Sequence, residues 1–178
     1  MNVLGIIAEY NPFHNGHSFQ LDACRQLSCA DYTVVAMSGN FTQRGKAAVA
    51  DKHIRAQMAL ECGADLVIEL PVHAACASAG YFALGGVALL AHTGIVTHLG
   101  FGSECGNLQL LTQAAHLLSE EPEAFKTALK SGLKSGRSYA LARSQALESC
   151  LPEAAGLLTP NNILGIEYIR AIKKLGAP

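Results

Sequence analysis

Val3-Leu4-Gly5-Ile6-Ile7-Ala8 runs without a polar side chain into Glu9-Tyr10-Asn11-Pro12-Phe13-His14-Asn15-Gly16-His17, and a segment with helical spacing follows. A continuous apolar run of this length is the pattern of a strand buried on both faces, because a half-exposed strand alternates polar with apolar positions. Such strands sit centrally in parallel sheets covered by helices. Beyond it, Phe19, Leu21, Cys24 and Leu27 form the expected inward stripe of a helix over 16–27, and Tyr32-Thr33-Val34-Val35-Ala36-Met37 gives a second strand. The first β–α–β unit therefore takes about 35 residues, a usual size.

The alternation continues along the chain. Asp51 is the expected N-cap of a helix reaching residue 61 or 62, with Ile54, Met58 and Leu60 inward and Gly63 as its terminator. Leu66-Val67-Ile68-Glu69-Leu70 reads as a third strand stopped by Pro71. Residues 80–92 read as a buried helix ended by Gly94, and Thr97-His98-Leu99-Gly100-Phe101-Gly102 as a short fourth strand entering a glycine-rich turn. From 107 to 175 the pattern is helical, with breaks near Pro122, over 132–138 and over 152–160. The expectation is an α/β, Rossmann-like fold: a parallel sheet flanked by helices in residues 1–106, then a helical segment, 107–178, packed on that core and returning to its ligand site. Sheets of this kind bind ligands beyond the carboxyl ends of their strands, where strand order reverses. That selects the loops 9–17, 38–50, 70–79 and 100–106.

Composition narrows the class. Of 178 residues, 50% are apolar and 15% charged, which excludes a disordered or collagen-like chain. Thirteen Lys and Arg against fourteen Asp and Glu leave a formal charge of −1, so any contact with nucleic acid has to be local. The stretch from Pro71 to Ser103 holds no charged residue, but glycine, histidine and alanine interrupt it where a spanning helix needs about 20 strongly apolar residues. No membrane span and no secretory leader are expected. Six scattered cysteines without a C-x-x-C pair fit reduced thiols in a cytoplasmic protein, packed as small core hydrophobes, and no metal site is expected.

The sharpest chemical signal is His14-Asn15-Gly16-His17, two histidines at the start of a helix directly after a buried strand. A helix N-terminus offers unpaired N–H groups and a partial positive charge, and so holds phosphate. His14 and His17 add ring N–H donors for charge that accumulates during attack at a phosphorus. In an arbitrary sequence such a pair more often satisfies loop carbonyls; its place between strand and helix favours the phosphate reading.

These residues resemble the H-x-G-H nucleotidyltransferase superfamily. Together with Met37-Ser-Gly-Asn-Phe-Thr-Gln-Arg-Gly45, Ala64-Asp-Leu-Val-Ile-Glu-Leu-Pro71, Phe101-Gly-Ser-Glu104 and Pro160-Asn-Asn-Ile-Leu-Gly-Ile-Glu-Tyr168, they are similar to the bacterial tRNA(Met) cytidine acetate ligase family. The resemblance implies the nucleotidyltransferase (HUP) fold and an ATP-dependent ligase. Such an enzyme activates acetate as acetyl-adenylate and acetylates N4 of the wobble cytidine of elongator tRNA(Met). It implies ATP, brought with magnesium, as the cofactor. In the family the segment matching Ile7, Ala8, Glu9, Tyr10, Asn11, Pro12, Phe13, His14, Asn15, Gly16, His17, Ser18, Phe19 and Gln20 cradles ATP. Gly102 and one of Asn161 and Asn162 also belong to that site by resemblance. The family continues past the P-N-N-I-L-G helix into a strand, a basic motif and a tRNA-contacting C-terminal region, which are expected to be absent from 1–178.

Arg44, in the loop after the second strand, is the third expected catalytic residue, paired with acetate or phosphate, and Lys46 adds to its positive field; Lys52 and Arg55 could add to it too, but are more readily read as cations that simply solvate a loop. Glu69 and Glu104 stand at strand ends as ordinary loop carboxylates or as groups steering magnesium or a ribose. Lys126, Lys130, Lys134 and Arg137, the three lysines recurring every fourth residue on one helical face, are the candidate tRNA contacts, the alternative being an ordinary solvated helix face. Two other readings remain: a small-molecule adenylyltransferase of the same superfamily, and a catalytically silent nucleotide- or RNA-binding module.

Overall fold

Four parallel strands, β1 (Val3–Ala8), β2 (Tyr32–Ser38), β3 (Leu66–Leu70) and β4 (His98–Gly100), pair in the order β3-β2-β1-β4 in the computed structural model, which describes residues 1–177. Val3 lies opposite Tyr32 and Ala8 opposite Met37, while Leu4 to Ile6 of β1 pair with His98 to Gly100 of β4 on the other side. The chain steps from β1 outward to β2 and β3, then crosses back to add β4 beyond β1. Strand order therefore reverses between β1 and β4, and the loop leaving β1 opens at that crevice.

The central strand is buried on both faces, as its composition requires. Leu4 and Ile6 pack with Leu21, Val35, Met37 and Ala59 on the side of α1 (Asn15–Ser28) and α2 (Lys52–Glu61). The alternate residues meet α4 (Ala79–His92). A Cβ on Gly86 would stand 2.7 Å from Ile7, and one on Gly5 would stand 2.8 Å from Leu90, so helix and strand touch through glycine. A short helix, α3 (Val72–Ala75), which the sequence reading did not separate, follows β3.

Several expected details are corrected. On α1 the inward stripe is His17, Leu21, Cys24 and Ser28; Phe19 and Leu27 point to solvent. On α2, Ile54 and Leu60 are exposed, whereas Arg55 and Ala59 are buried. Apolar spacing placed Leu21 and Cys24 inward as observed and misjudged the flanking positions, because a histidine on α1 and an arginine on α2 occupy inward positions that apolar spacing does not register. The fourth strand covers His98–Gly100 rather than 97–102. The six thiols are unpaired; Cys24, half-buried, packs against the core as expected, whereas Cys62 and Cys150 are half-buried and Cys29, Cys76 and Cys105 exposed. Asp51 does cap α2, accepting from the His53 amide at 2.8 Å, and Gly63 follows with φ +104°. Among the described residues no helix is long and apolar enough to cross a membrane.

The chain forms two units, Met1–Phe101 with the residues from Ala171 onward, and Gly102–Arg170. The second is all helical, with α5 (Leu108–Glu120), α6 (Glu123–Lys134), α7 (Tyr139–Cys150), a 3-10 turn at Pro152–Ala154 and the start of α8 (Pro160–Leu175). Its breaks fall where proline and glycine predicted them. Glu167, nearly buried on α8, accepts from Arg143 of α7 at 3.1 Å and from Arg170 at 2.9 Å, and Arg170 also donates to Ser119 of α5, tying three helices.

Candidate active site

The two histidines cap the helix they open. His14, with extended backbone, accepts the Gly16 amide on its ring Nδ1 at 3.1 Å, and the His17 Nδ1 accepts the His14 amide at 3.3 Å. This is a capping box in which imidazoles replace the usual hydroxyl and carboxylate. The rings stack, with centroids 3.7 Å apart and planes 23° apart. Since each Nδ1 accepts a backbone hydrogen, the proton of each uncharged ring sits on Nε2, so the hydrogen-bond network assigns both rings a free Nε2–H donor. Gly16 has a local reason: a Cβ there would press on the His14 ring at 3.0 Å.

His17 stands on the inward stripe of α1, half-buried, with its ring centroid 4.8 Å from that of Tyr10 and 5.5 Å from that of Phe13. Tyr10, 1% exposed, is the floor of the corner; burial raises its phenol above the ordinary range. Burial, then the neighbouring His14, lowers the His17 pKa from 6.5 to about 4. Between these values the unfolded chain binds a proton that the folded chain refuses, so the stability linked to neutral His17 is whole above pH 6.5 and is lost as pH falls toward 4. We expect the His17 ring-proton resonance to titrate with its midpoint near 4. A midpoint at the ordinary histidine value would show that the ring is solvated and the corner open.

The loop after β2 is fastened to this corner by contacts that periodicity did not foresee. Glu9 Oε1 accepts the Gln43 amide, and Asn11 Oδ1 accepts the Val49 amide at 2.8 Å. Beneath them lies Arg55, 1% exposed, which donates to the carbonyls of Glu9 (2.6 Å), Ser38 (3.2 Å), Ala50 (3.0 Å) and Gly39. Arg55 is therefore neither a solvated loop cation nor part of a surface field: a planar fork of donors meets a ring of loop carbonyls that no apolar side chain could satisfy. Lys52 is likewise engaged, at 2.6 Å from Glu69, which settles that carboxylate as an ion-pair partner. Phe41 and Ala47 form an isolated antiparallel bridge, closed by a turn in which the Gly45 amide donates to Thr42 and Gly45 takes φ +70°. Arg44 stands exposed at the tip, with no recorded partner among the described residues.

Gly102, Asn161 and Asn162 belong to the second unit. Asn162 is buried, its Oδ1 accepting the amides of Glu104 (3.0 Å) and Cys105 (3.3 Å) and its Nδ2 donating to Leu157. Glu104 answers by accepting from the amides of Asn161 (3.0 Å) and Asn162 (2.8 Å) and from the Thr159 hydroxyl. Desolvation opposes ionisation of Glu104, yet these donors outweigh it and hold its carboxyl below the usual range. Glu104 is therefore the cap of α8, and Asn162 is consumed in holding the 104–105 turn. Asn161 keeps an exposed side chain with a free amide. Asn162→Ala is expected to cost about 2 kcal/mol in denaturant unfolding, whereas Asn161→Ala changes stability by under about 0.5 kcal/mol. Equal losses would refute this division.

On α6, Lys126 pairs with Glu123 at 3.2 Å, and the exposed Arg137 beyond it donates to Gln145, leaving Lys130 and Lys134 as the exposed cations of the stripe without a side-chain partner among the described residues. Among the described residues no three His, Cys, Asp or Glu side chains converge as a metal site.

Comparison with known proteins agrees with this geometry. The model of the HIGH Nucleotidyl Transferase family matches residues 1–178. The chain is 52% identical to a tRNA(Met) cytidine acetate ligase of Syntrophomonas wolfei, over 100% of this chain and 44% of that protein, and 49% identical to one of Acetivibrio thermocellus, over 98% and 43%. It is also similar to a crystal structure of Thermotoga maritima TmcAL bound with alpha-thio ATP, with 45% identity and a TM-score of 0.94 over 99% of this chain and 44% of that one. The chain thus spans less than half the length of the relatives it matches. The parallel sheet is the HUP nucleotidyltransferase fold that the resemblance implied. With a family model aligned from end to end and a histidine pair opening the helix after the first strand, this chain belongs to the HIGH nucleotidyl transferase family.

Proposed function

We propose that this chain is the adenylate-forming part of a tRNA(Met) cytidine acetate ligase that works in the cytoplasm. In the first step an acetate oxygen attacks the α-phosphorus of ATP, the bond to the β-phosphate oxygen breaks, and acetyl-adenylate and pyrophosphate form. In the second, N4 of the wobble cytidine of elongator tRNA(Met) attacks the acetyl carbonyl and AMP leaves. The observation that carries this reading is the reciprocal cap: both Nδ1 atoms face inward to backbone amides, so two Nε2–H donors remain at the start of α1. Donors fixed before the reaction stabilise charge that grows on phosphate oxygens without reorganising as it grows. His17 suits the role because its depressed pKa keeps it uncharged until phosphate arrives.

The segment Ile7 to Gln20 supplies the phosphate cradle, with Tyr10 as its buried floor. Arg44, on a turn tied to that segment through Gln43, is the candidate partner for acetate or for leaving pyrophosphate. Gly102 and Asn161 are the nucleotide contacts of the second unit, Asn161 being favoured over Asn162 by its free amide. Magnesium would come with the triphosphate, and no step requires a metal cage from the protein. Among Lys126, Lys130, Lys134 and Arg137, the exposed Lys130 and Lys134 are the favoured tRNA phosphate contacts. Acetate-dependent exchange of pyrophosphate into ATP tests the first step directly. AMP transfer to a phosphorylated metabolite without acetate dependence would replace this reading, and ATP binding without exchange would leave a silent module.

A further inference from the structure

The carboxyl ends of β2 and β3 border a hollow that the adenylation chemistry does not use. It holds about 200 Å³, open to solvent on one side, and is lined by Gly39, Asn40, Phe41, Glu69, Val72 and Ala75. That is less than the sites of drug-sized ligands and suits something as small as one planar ring. Phe41 and Val72, 46% and 58% exposed, offer an aromatic face and an apolar edge where solvent would otherwise favour polar groups. Asn40 carries a side-chain amide with no partner among the described residues. Glu69 is oriented by Lys52, which holds Oε2 at 2.6 Å, while Oε1 lies where a side chain on residue 39 would stand and accepts nothing else. Gly39 thus makes room for a fixed carboxylate oxygen with accepting capacity left over.

A carboxylate at this position selects against acetate and phosphate and in favour of a ligand that donates. We propose that the hollow is the acceptor-base pocket: it takes a single-stranded cytosine, stacked on Phe41, with its exocyclic amine donated to Glu69 and its N3 and O2 accepting from Asn40. This deepens the ligase reading and rests on it for the identity of the acceptor. Glutamate is the natural acceptor for cytosine N4, and unstacked RNA bases are held by aromatic faces and by hydrogen bonds to their pairing edge. Uracil presents a carbonyl oxygen where cytosine has the amine, and would set lone pairs against the Glu69 carboxylate. Placement supports the same assignment. Phe41 belongs to the bridged turn that carries Arg44 and is tied to the histidine loop through Glu9 and Asn11, so the pocket and the adenylate corner share one loop.

The test is NMR titration of the chain with cytidine, uridine and adenosine, nucleosides without phosphate so that the start of α1 is not engaged. We expect cytidine to shift the amides of Phe41 and Val72 with an affinity about tenfold or more above that of uridine. Phe41→Ala should weaken cytidine about tenfold, and Glu69→Gln, whose amide both accepts and donates, should bring the cytidine-to-uridine ratio close to one. Equal response to cytidine and uridine, preference for adenosine, shifts confined to other segments, or no response at the highest cytidine concentration would each overturn the pocket. Acetate-dependent exchange by the unsubstituted chain reports the ligase reading separately. Exchange without cytidine preference removes the pocket alone, and cytidine preference without exchange removes the adenylation alone.

Discussion

Alanine in place of either His14 or His17 lowers acetate-dependent ATP–pyrophosphate exchange by an expected 10²–10³-fold, on the order of the loss for one oriented donor in other enzymes. The effect falls on turnover rather than on ATP affinity, because the phosphate oxygens gain most of their charge only as pyrophosphate departs. The two substitutions do not add. Each imidazole holds a backbone amide next to the other, His14 on Gly16 and His17 on His14, so removing one loosens the cap that fixes its neighbour. The double variant should therefore fall only a little below the weaker single one. Exchange at wild-type rate in either single variant would take that histidine out of the mechanism.

Arg55→Met is expected to lose about 3 kcal/mol or more of stability in denaturant unfolding, the largest effect among single substitutions outside the hydrophobic core. Its guanidinium serves four carbonyls from three segments, and methionine fills the volume while leaving those oxygens buried without donors. Arg55→Lys should lose less than Met, since an ammonium reaches some of the carbonyls but lacks the planar fork. Amide exchange at Gln43 and Val49 should quicken in both variants, because the loops that Arg55 anchors carry those bonds to Glu9 and Asn11. A loss under about 1 kcal/mol for Arg55→Met would mean that water satisfies the loops unaided.

The same residue marks the limit of reading the chain from its letters. Asp51, Gly63, Pro122 and Pro160 act through their own neighbours, so their sequence signals sufficed for caps and breaks. Inward faces were a different matter. Counting apolar residues turned α1 toward Phe19 and Leu27 and α2 toward Ile54 and Leu60, and both helices lie with those residues in solvent. His17 and Arg55 take the inward positions because Tyr10 and a ring of carbonyls await them there. For Arg55 the decisive partner is remote in sequence, Glu9 being 46 residues away, whereas Tyr10 reaches His17 only because the intervening loop folds back on itself. Asn161 and Asn162 could not be told apart for a related reason: the side-chain chemistry of either suits a nucleotide and a turn equally well, and only the structure shows Asn162 bonded to Glu104, Cys105 and Leu157.

By itself, then, the sequence determined the α/β class, the doubly buried first strand and the histidine pair at the head of the first helix. Those features rest on local periodicity and on a motif whose partners lie within three residues. Tertiary structure alone decided that β4 adds beside β1, that both Nδ1 atoms are spent on backbone so that Nε2 carries the donor, and that Arg55 is a buried tie rather than a surface charge. The first and third depend on which distant groups meet, and the second on the placement of backbone and rings within the turn at 14–17, which residue identity alone does not settle.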